Sequence, residues 1–177
     1  MSAWTVIAHT PVGSGGSVIT FSNIPNTYTD LFIMLSARGN SPFLAIRFNN
    51  STANRSTKVL VGNGSSSFSR TDTYVGSNIT SINNSFTANT FSSVGIYIPN
   101  YASSNNKSFS IDGMADSNST TTWFGNLVSG LWSNSAAISS ITLSEWDSGD
   151  TEVAFVQYSS ATLYGITKGS SGGVTVS

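Results

Sequence analysis

The 177-residue chain has no cysteine and a single histidine, His9. Without cysteine, neither a disulfide nor a cysteine-ligated metal site can form. One histidine excludes zinc sites built on several histidines, and any Ser-His-Asp site would have to use it. His9 lies near the predicted end of the first strand with no nucleophile motif beside it, so we interpret it as a strand-end residue. We therefore predict a protein that is not an enzyme and needs no cofactor.

The chain also contains few charged residues. Charged residues make up 8% of the chain and the formal net charge is −1, whereas a typical soluble protein has about 25% charged residues. Near-neutral surfaces associate readily because little repulsion opposes contact. We therefore predict surfaces that other protein covers, or an extracellular existence. Lys and Arg are scattered singly, which argues against a nucleic-acid partner. No apolar stretch approaches the roughly 20 residues that a membrane-spanning helix needs.

The pattern along the chain is β throughout. Short runs rich in Val, Ile, Phe, Tyr, Trp and Thr alternate with clusters of Gly, Asn, Ser and Pro. This pattern predicts an all-β antiparallel β-sandwich, jelly-roll-like, with about eight to ten strands, and a closed barrel is the alternative. We expect one domain over residues 1–168 and a flexible C-terminal tail or exchanged arm over 169–177. The predicted strands are Trp4–His9, Ser17–Phe21, Leu31–Arg38, Phe43–Phe48, Lys58–Val61, Ser93–Ile98, Ser108–Ala115, Thr122–Trp132, Ile138–Ser144 and Ala161–Lys168.

Two of these strands carry unusual residues. Leu31–Arg38 is apolar on both faces at one end, with Phe32 and Met34 on its second face. A strand of this kind is covered on both sides, and a neighbouring subunit or a packed loop could supply the second cover. The strand that ends at Trp132 contains Gly125 and Gly130, which predict a bulge or the close approach of another backbone.

The carboxylates cluster once, between Glu145 and Glu152. Asp147, Asp150 and Glu152 stand around a glycine turn, where closely spaced oxygens could hold calcium, although the spacing is not that of an EF-hand. Two carboxylates beside Trp146 could also serve a glycosidase. A solvated hairpin loop accounts for the same residues, and we adopt that interpretation.

Apolar and aromatic residues of the strand-rich segments are expected to make the contacts with other protein. Tryptophan usually packs in a core or an interface, although an exposed indole could stack on a sugar. The predicted interface residues are Trp4, Phe32, Met34, Tyr101 and Trp132.

Five segments spread over most of the chain together resemble a family. They are Ile24–Arg38 (IPNTYTDLFIMLSAR), Leu44–Asn50 (LAIRFNN), Ile96–Tyr101 (IYIPNY), Leu131–Ala137 (LWSNSAA) and Ala161–Ile166 (ATLYGI). In this order they are similar to small virion structural proteins of tailed phages, including cyanophages.

The resemblance implies a β-sandwich displayed on the outer surface of the virion after synthesis in the host cytoplasm. One implied role is a capsid cement or decoration protein, a homotrimer that contacts itself and the major capsid protein or other virion proteins. The other is a tail-fibre or tail-tip protein that binds a host surface glycan through loops between Gly62 and Asn89. An enzyme such as a glycan depolymerase would rest only on the loop from Glu145 to Glu152.

Overall fold

The computed structural model describes residues 4–41, 43–72, 86–116, 123–146 and 152–167. Within these ranges every helix or strand assigned is a β-strand, which confirms the all-β class. Twelve strands are present there, where eight to ten are predicted. They are β1 (Trp4–Pro11), β2 (Ile19–Phe21), β3 (Asp30–Ala37), β4 (Leu44–Phe48), β5 (Arg55–Gly62), β6 (Ser67–Asp72), β7 (Ser92–Ile98), β8 (Lys107–Asp116), β9 (Trp123–Trp132), β10 (Ile141–Trp146), β11 (Glu152–Val153) and β12 (Ser160–Ile166).

The strands form two antiparallel sheets. The large sheet has eight strands in the order β1-β12-β3-β7-β8-β9-β5-β6. The small sheet has β10 at its centre. Strand β4 pairs with β10 along one side, from Ile141 to Glu145, and β2 and β11 both pair with its other side. Among the described strands, β1 and β6 each pair on one side only, so the large sheet is open and is not a closed barrel.

Buried residues of both sheets form one apolar core, as expected of a β-sandwich. Burial alternates residue by residue along β5 and β8 because successive side chains of a strand point to opposite faces. The ring of Phe48, on the small sheet, lies 5.3 Å from that of Phe109 and 5.6 Å from that of Trp132, centroid to centroid. These three rings join the two sheets.

The predicted bulge in β9 is wrong. β9 pairs residue by residue with both β8 and β5 through Gly125 and Gly130, without a shift in register. A Cβ atom at position 130 would lie 2.1 Å from the ring of Phe109 on the neighbouring strand. Position 130 therefore requires glycine because the Phe109 ring occupies the space of a Cβ atom.

Asparagine has a structural role in the turns. Asn49 and Asn50, which follow β4, have φ angles of 50° and 56°, in the left-handed region that asparagine tolerates. The Asn49 Oδ1 accepts hydrogen bonds from the backbone N–H groups of Ser139 (2.8 Å) and Ser140 (3.1 Å). This side chain ties the end of β4 to the segment that leads into β10.

Strand β5 begins three residues before its predicted start. Its first residue, Arg55, takes an inward position and is buried. The guanidinium donates hydrogen bonds to the carbonyl oxygens of Thr52 and Ile46. Because hydrogen bonds satisfy the buried charge, a residue that hydropathy assigns to a loop is accommodated in a strand.

Candidate interaction face

Most of the exposed large hydrophobic side chains lie on one face. Nine such residues are exposed among those described, and seven belong to the outer face, which we define as the side of the large sheet turned away from the core. Scattered single apolar residues are normal on a protein surface, whereas a concentration on one face is typical of an interaction site. The seven residues are Trp4, Val6, Met34, Leu60, Met114, Leu127 and Leu131.

Strand register arranges the outer face in three rows of directly opposed residues. The central row runs from β12 to β5 as Thr162, Met34, Gly95, Asp112, Leu127 and Leu60. The aromatic row beside it is Tyr164, Phe32, Tyr97, Ser110, Ser129 and Lys58. The serine row, on the other side of the central row, is Ser160, Ser36, Ser93, Met114, Gly125 and Gly62.

The two halves of the outer face differ in chemistry. The aromatic half, on β1, β12, β3 and β7, is organised by Trp4, whose ring lies 5.2 Å from Phe32 and 5.9 Å from Tyr164 in edge-on geometry. The aliphatic half, on β8, β9, β5 and β6, carries Leu60, Leu127 and other unbranched or γ-branched residues. Each half is therefore apolar, but one presents flat rings and the other presents flexible chains.

Tyr97, on the aromatic half, is held in place by Asp30 at the start of β3. Its hydroxyl donates a hydrogen bond to the Asp30 Oδ2 at 2.7 Å, and the Asn100 backbone N–H donates to the Asp30 Oδ1 at 2.9 Å. The hydrogen bond to Asp30, together with burial, raises the pKa of Tyr97 above its usual value of 10.0. The buried Asp30 carboxylate thus fixes a ring of the outer face and the turn after β7.

The middle of the outer face is marked by Gly95 and Asp112, which are directly opposed on β7 and β8. A Cβ at position 95 would lie 3.0 Å from the Asp112 Oδ1 and 3.1 Å from the Phe32 ring. The Asp112 carboxylate therefore leans over the backbone of Gly95. Lys58 is the cation of the aromatic row, and its Nζ donates to the Thr71 Oγ1 at 2.6 Å.

His9 lies on β1, where its Nδ1 is 2.8 Å from the Thr162 Oγ1 on β12. Both residues are on the outer face, at the margin of the aromatic half. The histidine is thus paired with a threonine hydroxyl on the neighbouring strand. This hydrogen bond joins β1, at the edge of the large sheet, to β12.

The predicted interface residues divide into two groups. Trp4 is 48% exposed and Met34 56% exposed, and Phe32 is half-buried beside them on the outer face. Tyr101 and Trp132 are buried, so neither is accessible to a partner, and we correct their assignment to the interface.

Core packing explains the correction. The Tyr101 hydroxyl donates a hydrogen bond to the Pro25 carbonyl oxygen, and the ring belongs to the central core. Trp132 occupies an inward position of β9 against Phe48. Four exposed residues of the outer face were not predicted from the sequence, where the two-residue alternation within strands was the available signal: Leu60, Met114, Leu127 and Leu131.

The carboxylate cluster does not assemble in the described residues. Glu152 pairs with the Arg47 guanidinium at 2.5 Å, while Glu145 points inward from β10. Asp147 and Asp150 lie outside the described residues, as do positions 169–177. Among the residues that the structure describes, no group of three His, Cys, Asp or Glu side chains could hold a metal ion.

Glu145 is a fully buried carboxyl group. Its Oε2 accepts hydrogen bonds from the backbone N–H groups of Asn40 (2.7 Å) and Ser41 (3.0 Å). Its Oε1 is buried without a hydrogen-bond partner among the described residues. Burial raises the pKa of Glu145 to about 7, against the two backbone hydrogen bonds that lower it.

Comparison with known proteins gives no match to a family model, to a curated protein or to a solved structure. In the described ranges, no helix has the length and apolar character that crossing a membrane requires.

Proposed function

We propose that this chain is a non-enzymatic structural protein of a tailed-phage virion, a capsid cement or decoration protein that associates through its outer face. The single observation that carries the association is the concentration of seven exposed large hydrophobic residues on one side of one sheet. The phage assignment rests on the five family-like segments.

The size of the outer face supports a stable contact. Eight strands at a spacing of about 4.8 Å, each about seven residues long, give a surface of about 34 Å by 23 Å, or roughly 800 Å². A standard protein interface buries about 800 Å² on each partner. Since charged residues are few, little desolvation of charge opposes this burial. Contacts repeated over a shell add by multivalency, so each contact can be modest.

Particle binding tests the proposal. We expect the purified protein to bind phage capsids that lack it and to raise their resistance to heat and osmotic shock. Leu127→Ser and Leu60→Ser should weaken binding at least tenfold because each replaces an exposed apolar side chain of the outer face with a hydroxyl. Tyr158→Ser is the matched control, since Tyr158 is 75% exposed but lies in the turn before β12, outside the outer face.

Two results would contradict the proposal. One is wild-type protein that does not bind capsids, and the other is virions without the protein that keep their normal heat and osmotic resistance. Equal capsid binding by Leu127→Ser and the wild-type protein would show that the outer face does not contact the capsid.

A second candidate, a tail protein that binds a host glycan, is favoured by a groove on the aromatic half. The groove has a volume of about 560 Å³, within the range of small-molecule sites, about 300–1,000 Å³. Phe32 and Tyr164 line it on one side, Ser36 and Ser93 on the other, and Asp112 lies at one end. Rings suit the apolar face of a sugar, while hydroxyls and a carboxylate suit its hydroxyl groups.

Antibody labelling of the virion and titration with cellohexaose, maltohexaose and chitohexaose test this candidate. Labelling of the tail and binding of at least one hexasaccharide, weakened by Asp112→Asn, would favour it. Labelling of the head with no hexasaccharide bound would exclude it.

A further inference from the structure

We propose that Met34 and Met114 are oxidation sites that regulate the outer face. Hydrogen peroxide, or another hydroperoxide, converts their thioethers to sulfoxides, and the sulfoxides weaken association with the capsid. The inference rests on the proposed function because it concerns regulation of the same face.

Sulfur is rare in this chain and is concentrated on the outer face. The chain has no cysteine and three methionines. Met1 lies outside the described residues, while Met34 and Met114 both belong to the seven exposed hydrophobic residues of the outer face. Every thioether that the structure describes is therefore on the face to which the capsid contact is assigned.

Both side chains are open to small oxidants. Met34 is 56% exposed and Met114 is 70% exposed, which is the largest value among the seven. The residues directly opposite Met114 on the neighbouring strands are Ser93 and Gly125, and both are too small to cover its thioether. Because oxidation requires the oxidant to reach the sulfur, these two methionines should react about as readily as a methionine of an unfolded chain.

The reaction transfers one oxygen atom to each sulfur. The sulfur lone pair attacks one oxygen of hydrogen peroxide, and the S–O bond forms as the O–O bond breaks. The other oxygen takes up the proton of the first and leaves as water. The sulfur is oxidised and the peroxide is reduced, so the protein supplies no proton, and the product is a polar sulfoxide in place of an apolar thioether.

The two methionines lie near the centre of the outer face, on either side of β7. Met34 is on β3 and Met114 is on β8, the third and the fifth of the eight strands of the large sheet. On β7, Met34 is opposite Gly95 and Met114 is opposite Ser93. Two strand spacings and a shift of two residues put their Cα atoms about 12 Å apart. Residues near the centre of an interface contribute most to binding, so sulfoxides at these positions should affect the contact strongly.

A sulfoxide opposes burial in an apolar contact. Its oxygen accepts hydrogen bonds from water in the free protein, and an apolar partner surface cannot replace them. The lost hydrogen bonds should weaken binding about tenfold for each sulfoxide. Oxidation therefore makes the centre of the outer face a surface that favours water over a protein partner.

Peptide mass spectrometry after mild peroxide treatment tests the first step. We expect Met34 and Met114 to be oxidised in the folded protein at rates within about threefold of those in the urea-unfolded protein. The melting temperature should not fall, because both side chains point away from the core. Protection of either methionine by more than about tenfold in the folded protein would overturn the proposal.

Capsid binding tests the second step, with the double variant Met34→Leu/Met114→Leu as the matched control. Leucine keeps the size and apolar character of methionine without the sulfur, so the double variant should bind capsids within about threefold of the wild-type protein. Peroxide should weaken binding by the wild-type protein about tenfold or more and leave the double variant unchanged. Methionine sulfoxide reductases for both sulfoxide epimers should restore binding. An equal loss in the two proteins would show that peroxide acts on another residue and would overturn the proposal.

The proposed function and this inference fail separately. If the untreated and the oxidised protein bind capsids equally well, the regulation is wrong and the proposed function stands. If the untreated protein does not bind capsids, the proposed function is wrong, and retention on a hydrophobic-interaction column tests the oxidation sites. Shorter retention after peroxide in the wild-type protein alone would support them, and equal retention would overturn them.

Discussion

Gly39 and Glu145 lie so close together that a Cβ atom at position 39 would fall 1.7 Å from the Glu145 Oε1. The loop after β3 therefore closes over the carboxyl group and donates the backbone N–H groups of Asn40 and Ser41 to its other oxygen. This enclosure removes the carboxyl group from water.

Glu145→Gln should change how stability depends on pH. Because burial raises the folded-state pKa of Glu145 to about 7 from an ordinary 4.5, the folded protein binds more protons between these values. Wild-type stability should fall as pH rises through this window, by about 3 kcal/mol in total. The glutamine variant should lack that fall and should be the more stable protein at pH 8. Thermal unfolding from pH 4 to pH 9 measures this, and parallel curves for the two proteins would contradict it.

Gly130→Ala should destabilise the fold by about 1–3 kcal/mol because the added methyl group overlaps the Phe109 ring. Phe109→Ala alone should cost about 3–5 kcal/mol. The double variant should cost less than the sum of the two, since the new methyl group enters space that the ring has left. Urea unfolding measures all three, with Gly62→Ala as a control because nothing lies within 4 Å of a Cβ there. Strict additivity would show that the ring does not require the glycine.

Trp132→Ala should destabilise the fold much more than Trp4→Ala, because Trp132 lies in the core and Trp4 on the surface. Trp132 is buried against Phe48, so its removal should cost about 3–5 kcal/mol. Trp4 is half exposed and loses only edge contacts with Phe32 and Tyr164, so its removal should cost about 1 kcal/mol. Equal losses in chemical denaturation would contradict the placement of Trp132 in the core.

Asp30→Ala should destabilise the turn after β7 as well as the fold. It leaves the Asn100 N–H and the Tyr97 hydroxyl without their acceptor, at a cost of about 2–4 kcal/mol. Tyr97→Phe loses one hydrogen bond and should cost about 1 kcal/mol. Hydrogen exchange at the Asn100 amide should accelerate in Asp30→Ala and stay slow in Tyr97→Phe. Unchanged exchange in the aspartate variant would show that Asp30 does not hold the turn.

Strand prediction succeeded where the alternation of apolar residues was regular. β3, β4 and β7 lie within a residue or two of their predicted ranges because β-branched and aromatic residues stand between clear turn signals. β5 was predicted too short because Arg55 and Thr57, although polar, take buried inward positions. Hydropathy ranks these residues as exposed, and only their hydrogen-bond partners reverse that ranking.

The candidate site was found in part. Phe32 and Met34 were identified because their strand is apolar on both faces, and they lie on the outer face. Leu60 and Leu127 were not identified, because each lies next to a buried valine and an apolar run does not show which of its residues faces outward. They become a surface only because register places them directly opposite each other on β5 and β9.

By itself the sequence determined the all-β class, the absence of cysteine, the single histidine and the low content of charged residues. These follow from composition and a two-residue period, which are local properties of the chain. Only the tertiary structure decided which apolar residues enter the core and which meet on the outer face. Strand order and register bring residues together from distant parts of the chain, and no local pattern encodes that pairing.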